Sequence, residues 1–302
     1  MRTIAILPHT GKPLALSVAK KLATLLEASG VKVLLPKEVV TDKKLVKYTA
    51  DDPLKTADLI IVIGGDGAML KAAQEARLKK IPLLGINTGH LGFLTELEVD
   101  EVDDFIEEIV KGTYPIEERL LLEVYVEGKK DKPLFCLNDA VLSRTAAARL
   151  IYFDVFVDEK YVGQYPAEGI LVASPTGSTA YSLSAGGPLV DPDVSCMLLT
   201  PICPHMLSAR PVVVGLQHTV RIKVHHSDEE VLLTVDGILG GSLQKSDELV
   251  VKASPQKLLF AKLTPKTFYD VLRSRLQINR DCPVNGNYAY QEIKGRRRKK
   301  EV

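Results

Sequence analysis

The sequence predicts a mixed α/β fold in two parts: an N-terminal Rossmann-like parallel α/β domain over residues 1–115 and a C-terminal strand-dominated domain over 116–263. Three observations predict it. Strand and helix patterns alternate through the first third of the chain, as repeated strand–helix–strand units of a parallel sheet do. The run Leu59–Ile63 is apolar at every position, as in a strand covered on both faces. From Ile116 onward the apolar residues recur in twos, in segments such as LLLEVYVEG, YFDVFVDEKYVG and EVLLTVDG.

The elements follow in order. Thr3–Leu7, Val31–Leu35, Leu59–Ile63 and Leu83–Ile86 read as strands. Leu14–Ser29 has helical spacing and stops at Gly30, Ala68–Lys79 follows the third strand as a helix, and Val102–Lys111 is a helix ended by Gly112. In the second part Ser178–Ala185 is a helix candidate. After Thr264-Pro265, TFYDVLRSRL returns to helical spacing; it is too short to be a domain, so it must dock. Residues 284–302, ending GRRRKKEV, read as a solvated, disordered basic tail.

Composition excludes several classes. The 302 residues carry 39 Lys+Arg against 38 Asp+Glu, a formal charge of +1, which argues against a protein that coats nucleic acid. No apolar run approaches the roughly 20 residues of a membrane-spanning helix, and MRTIAILPHTG lacks the apolar stretch and cleavage site of a secretory signal. Four scattered cysteines without a C-x-x-C pair suit reduced thiols. The expectation is a cytoplasmic protein. Cys203 and His205 lack a second ligand pair and read as a loop or strand end.

Four segments carry chemistry. Gly64-Gly65-Asp66-Gly67 sits between a strand and a helix. Its glycines let a turn form and a ligand come close, and the helix start behind it favours phosphate. Asp66 either accepts a proton from a substrate hydroxyl, holds a magnesium ion bridging phosphates, or merely caps the helix. Asn87-Thr88-Gly89-His90-Leu91-Gly92-Phe93 ends the next strand, on the same sheet edge. There Asn87 and Thr88 are placed to contact phosphate and Phe93 to cover a ring, while His90 reads equally as a packed loop residue. The run from Pro175 to Gly187 clusters hydroxyls around a helix start; Thr176 or Ser178 is placed to cap it, Thr179, Ser182 and Ser184 suit ribose and base recognition, and Tyr181 suits stacking. Asn138-Asp139 lies within an apolar strand and suits ribose hydroxyls or a base edge.

Together, GGDG at Gly64–Gly67, NTGHLGF at Asn87–Phe93, Asn138-Asp139 and SPTGSTAYSLSAGGP at Ser174–Pro188 resemble the NAD kinase family in order and spacing, as do PICPHMLSARPVVV at Pro201–Val214 and the Val-Asp-Gly turn at 235–237. The resemblance spans nearly the whole chain. It implies transfer of the γ-phosphoryl of ATP, or of polyphosphate in some members, to the 2′-hydroxyl of the adenosine ribose of NAD, with a divalent metal, magnesium being expected. It assigns Asp66 as the proton acceptor. Gly64, Gly65, Gly67, Asn87 and Thr88 fall to the phosphates. Asp66, Gly67, Lys71, Phe93, Asn138, Asp139, Arg149, Glu168 and the stretch Thr179, Ala180, Tyr181, Ser182, Leu183, Ser184 fall to NAD. It also implies a homodimer or homotetramer whose neighbours complete the NAD pocket, and a last helix, 264–280, that returns to the first domain.

The sequence departs from the family pattern at three places. Glu168-Gly169 replaces the usual Asp-Gly, Pro166 stands where a basic residue is common, and Ala68 stands where Thr is frequent. Two other functions share single features. A lipid or sugar-phosphate kinase shares the GGDG turn, but predicts an apolar or basic acceptor groove rather than hydroxyl-rich, Tyr-bearing elements. A catalytically silent dinucleotide-binding regulator predicts loss of the acid that Asp66 retains.

Overall fold

The computed structural model describes residues 1–37, 45–89, 92–130, 132–145, 150–227 and 230–276. Its first part runs β1 Thr3–Pro8, α1 Pro13–Ala28, β2 Lys32–Pro36, β3 Thr49–Ala50, β4 Leu59–Gly64, α2 Asp66–Lys79, β5 Leu83–Asn87, β6 Leu97–Glu98 and α3 Ile106–Lys111. The strands pair in parallel in the order β3-β2-β1-β4-β5-β6. β4 is buried at all six positions, as its unbroken apolar run requires. α1 packs Ala15, Val18, Ala19, Leu22, Ala23 and Leu26 on one side of this sheet, and α2 packs Met69, Ala72, Ala73 and Ala76 on the other. The helix expected over 102–111 is a 3₁₀ segment, Val99–Phe105, followed by α3.

The second part runs β7 Ile116–Val126, β8 Leu134–Cys136, β9 Asp139–Arg144, β10 Ile151–Val157, β11 Lys160–Ala167, β12 Gly169–Ala173, α4 Tyr181–Ser184, β13 Cys196–Ile202, β14 Val212–Gly215, β15 Val220–His226, β16 Val231–Val235, β17 Ile238–Leu243 and β18 Glu248–Ala261, before α5 Phe268–Leu276. An antiparallel six-stranded sheet has the order β14-β13-β12-β9-β16-β17. It packs on the strands β7, β10, β15 and β18 through a core that includes Leu142, Val172, Leu199 and Leu233 from one layer and Leu122, Phe153, Ile222 and Leu249 from the other.

Two features were not anticipated from the sequence. First, the sheets of the two parts are continuous. The far end of β18 pairs in parallel with β5 at Phe260↔Leu83, so one twelve-stranded sheet crosses the 115/116 boundary. Second, Asn138 does not lie within a strand. β8 belongs to the larger sheet and β9 to the smaller, and the chain changes sheet at 137–138. The alternation continues through FCLNDAVLS, which hides the break.

The segment before α5 returns to the first part. The buried Glu96 carboxylate, just before β6, accepts from Leu263 N at 2.9 Å, Thr264 N at 2.6 Å, Thr264 Oγ1 at 2.8 Å and Lys262 Nζ. Lys266 Nζ bonds Glu101 at 2.7 Å. The helix itself is described to Leu276; 277–280 and the basic tail lie outside the described residues.

Candidate functional site

Asp66 opens α2, yet its carboxylate does not cap that helix. Oδ2 accepts from Phe93 N at 3.0 Å and Oδ1 from Leu94 N at 3.0 Å. The acid of the first glycine turn is therefore pinned to the second loop. Each carboxylate oxygen keeps lone-pair capacity for a further donor. Gly92 makes the reach possible, since a Cβ there would meet Asp66 Oδ1 at 2.1 Å.

The glycines of the turn act by size rather than by unusual torsions. None of Gly64, Gly65 and Gly67 has a positive φ. A Cβ on Gly64 would strike the Ala68 methyl at 2.7 Å, whereas Gly65 and Gly67 face open space. Gly65 is extended, with φ −125° and ψ −169°. The turn presents bare backbone to a cleft of about 870 Å³ whose wall also carries His9, Thr10, Lys12, Lys71 and Glu75. Lys71, expected on the NAD side, thus stands in this cleft with Lys12. A Cβ built on Gly89 would lie 3.7 Å from Lys12 Nζ, so the ammonium reaches across to the second loop.

Asn87 ends β5. Its side chain is 2% exposed and holds its own loop, donating to Gly89 O at 2.9 Å and to the Glu98 carboxylate at 3.2 Å, and accepting from Gly89 N at 3.1 Å. The neighbouring Thr88 Oγ1 is buried without a hydrogen-bond partner among the described residues. Buried hydroxyls are seldom left so, and Thr88 keeps a free donor beside the turn. The Phe93 ring lies near Phe268 of α5, tilted at 42° to it, with ring centroids 6.3 Å apart. The two rings line a second cleft of about 360 Å³ with Tyr269, Arg119 and Asp191. His90 lies outside the described residues.

On the other side, Asn138 and Asp139 stand on a strongly tied backbone. The buried Asp236 carboxylate, in the β16–β17 turn, accepts from Leu137 N at 2.8 Å, Asn138 N at 2.8 Å and Asp139 N at 3.3 Å. Ser174 N donates to Asn138 O at 2.8 Å, and Ser174 Oγ to Leu137 O. Gly177 lies so close that a Cβ would meet Asn138 O at 2.1 Å. Leu137 shares a core with Met69 and Ala73 of α2 and with Leu94, so the pair sits on the side of α2 that also carries the Asp66 loop.

Burial and the nearby Asp236 carboxylate push the Asp139 carboxyl up to about 7, opposed by a hydrogen bond from Tyr181 N. The folded state then holds this proton more tightly than the unfolded chain. Stability falls as pH rises from about 4 to 7, by at most about 4 kcal/mol from this group. We expect Asp139→Asn, which keeps the Tyr181 bond, to flatten that decline and to melt several degrees higher than wild type at pH 8 in the absence of ligand. A melting curve across pH 5–8 that is parallel for the two proteins would refute the assignment.

The hydroxyls of the Pro175–Gly187 segment are mostly engaged by the surrounding fold. Ser178 Oγ donates to Val190 O at 3.0 Å and accepts from Val190 N, Thr179 Oγ1 donates to Thr176 O at 3.2 Å, and Ser182 Oγ meets Thr200 Oγ1 at 3.1 Å in the core. Neither Thr176 nor Ser178 caps a helix; the segment is a 3₁₀ turn, Thr176–Thr179, then the single turn α4. Ala180 and Leu183 are half-buried, and Tyr181 and Ser184 are exposed, Tyr181 by 44%. Of the hydroxyl side chains from Thr176 to Ser184, those of Tyr181 and Ser184 are the ones left exposed.

Glu168 is not brought to this place. It precedes β12, whose other end touches Asp139, and a strand of that length spans about 16 Å. Its carboxylate instead meets Arg144 Nη2 at 3.2 Å. Arg149 lies outside the described residues. Among the described residues no three His, Cys, Asp or Glu side chains converge into a metal cage, and Cys203 simply follows the end of β13. Sequence reasoning missed Gly92, Lys12 and Gln74. Gly92 lay inside a recognised motif, Lys12 follows a strand end on the correct sheet edge, and nothing in the sequence singles out Gln74.

Residues 4–114 match the model of the ATP-NAD kinase N-terminal domain and residues 137–263 that of the C-terminal domain. The chain belongs to the NAD kinase family. An NAD kinase of Moorella thermoacetica is 40% identical over 280 residues, spanning 92% of this chain and 90% of its own. One of Carboxydothermus hydrogenoformans is 44% identical over 229 residues, 75% and 82% of the two chains. Among solved structures, a yeast NADH kinase complexed with NADH superposes with a TM-score of 0.83 at 25% identity, covering 95% of this chain and 90% of that one. An NAD kinase from Archaeoglobus fulgidus in complex with ATP gives 0.69 at 27%, covering 91% and 99%.

Proposed function

We propose that the protein transfers the γ-phosphoryl of ATP to the 2′-hydroxyl of the adenosine ribose of NAD, forming NADP and ADP. The observation that carries this reading is the Asp66 carboxylate, fixed by two backbone amides at the mouth of a bare glycine turn with lone pairs to spare. The new bond joins the ribose oxygen to the γ-phosphorus while the bond from that phosphorus to the β–γ bridging oxygen breaks. A ribose hydroxyl is a far weaker acid than a carboxylic acid, so the proton reaches Asp66 late, as the new bond forms. Alignment and neutralisation of phosphate charge supply most of the acceleration.

In this reading ATP lies in the cleft beside Gly65 and Gly67, with its phosphates on Lys12, Lys71 and the Thr88 hydroxyl. A divalent ion would enter with the donor, as magnesium-ATP, and would offset phosphate charge there. Asn138, Asp139 and Tyr181 receive NAD. Glu168 is too far along β12 to meet the same ribose; its place in the reading is on a neighbouring subunit's NAD, in a homodimer or homotetramer. The free thiols of Cys136, Cys196 and Cys203 suit the reducing cytoplasm. No helix among the described residues is long and apolar enough to cross a membrane.

The test is incubation with NAD, ATP and magnesium, with NADP read by an NADP-specific dehydrogenase. NADH and polyphosphate replace substrate and donor in parallel samples. ATP-dependent NADP formation is expected; folded protein that binds NAD without turnover on any donor would overturn the reading. We further expect Lys12→Met to raise the KM for ATP about tenfold with the KM for NAD unchanged, since removing one charge-assisted phosphate contact costs on the order of 1.5 kcal/mol. An unchanged ATP KM would remove Lys12 from the donor site.

A further inference from the structure

Asp236 and Gln74 play no part in the chemistry described, yet they join its two halves. Gln74 lies eight residues after Asp66 on α2, about 12 Å along a rigid helix. Its Nε2 donates to Phe135 O at 2.8 Å and approaches Asp236 Oδ2 at 3.4 Å. Asp236 in turn takes the three successive amides of Leu137, Asn138 and Asp139, and Asp236 N donates back to Asp139 O at 3.0 Å. The peptide planes from which the Asn138 and Asp139 side chains project are thus held on their N–H side by one carboxylate, opposite the Ser174 bonds to Leu137 O and Asn138 O, and one amide group from the helix of the proton acceptor reaches both that carboxylate and Phe135 O of β8. This is the place where the chain crosses from the larger sheet to the smaller, so no ladder holds the register of 137–138.

We propose that Gln74 is a positioning residue that, through Asp236 and Phe135 O, fixes the NAD-holding pair Asn138–Asp139 relative to Asp66. The inference rests on the NAD kinase reading only for its consequence in turnover; its structural content stands on the hydrogen bonds alone. A simpler possibility is that Gln74 merely helps dock the two parts. Arg77 separates the two. It lies almost one turn further along α2, with its guanidinium carbon 3.8 Å above the Phe135 ring and Nη1 bonded to Gln256 at 2.7 Å, and its side-chain bond goes to Gln256 rather than to Asp236. It serves the docking without serving the pair.

The experiment compares Gln74→Met and Arg77→Met, both of which keep helix propensity and similar length, with wild type. Melting temperature, kcat and KM for NAD and ATP, and amide hydrogen exchange of the peptide spanning 134–142 are measured on each. For Gln74→Met the expected results are exchange at 137–139 at least tenfold faster, kcat about tenfold lower and the ATP KM unchanged. For Arg77→Met the melting temperature falls, while kcat and the exchange at 137–139 stay within twofold of wild type. Unchanged exchange at 137–139 in Gln74→Met overturns the proposal whether or not the wild type makes NADP. Equal losses of kcat and protection in the two variants also overturn it, because the effect then belongs to docking. Absence of NADP formation by wild type with faster exchange in Gln74→Met defeats the kinase reading and leaves the positioning intact.

Discussion

Asp66→Asn is expected to fold, to bind NAD, and to lose on the order of a thousandfold in kcat, equivalent to about 4 kcal/mol of barrier. Two physical losses combine. The amide cannot take the ribose proton. It also cannot reproduce the anchorage, because both carboxylate oxygens accept backbone N–H groups, from Phe93 and Leu94. An Asn presents one oxygen and one NH₂, so one backbone donor would face another donor. The side chain must rotate or the loop must shift. Asp66→Glu separates the contributions, since it restores the base while moving it by a methylene; we expect it to recover no more than a tenth of the wild-type rate. The measurement is NADP formation at saturating ATP and NAD, with NAD binding followed by calorimetry. Turnover within threefold of wild type in Asp66→Asn would remove Asp66 as proton acceptor.

The elements were legible in the sequence because their periods are simple. The all-apolar LIIVI could only be a covered strand, and Gly30 and Gly112 stopped their helices where expected. The order of glycine turns on one sheet edge followed from strand alternation. What stayed hidden depended on where side chains point. Asn87 reads from the sequence as a phosphate contact, and nothing there shows that its side chain is buried and clasps its own loop. The clustered hydroxyls of the Ser174–Ser184 stretch looked like a recognition surface, yet several of them are bonded within the fold. Hydroxyl-rich composition reports a backbone in need of partners as readily as a polar ligand. The sheet change at Asn138 was invisible because period-two alternation does not register a change of neighbours. Gln74 left no signal, because one more polar residue on an amphipathic helix resembles a solvated face until its partner is known.

Gly92→Ala should be nearly as damaging as loss of the acid itself, although the residue has no functional group. The penalty of the methyl is steric. A methyl would sit 2.1 Å from Asp66 Oδ1 and 2.8 Å from Cγ, with Thr95 Oγ1 at 3.0 Å on another side. Contact distance requires the carboxylate to retreat by more than about 1 Å, and misplacement of that size costs about a hundredfold in rate. The expected result is a kcat about a hundredfold lower with KM values for NAD and ATP within threefold of wild type, since neither Asn138–Asp139 nor the lysines of the donor cleft touch Gly92. Its melting temperature should fall by only a few degrees. The double variant Gly92→Ala/Asp66→Asn makes the reasoning specific: if the methyl acts only by displacing the acid, adding it to the Asn variant costs little further rate, and the two losses are far from additive. Additive losses would mean that Gly92 serves the loop in some way independent of Asp66. A wild-type kcat in Gly92→Ala would mean that the acid works from more than one position, and that its clasp by the Phe93 and Leu94 amides is incidental to turnover.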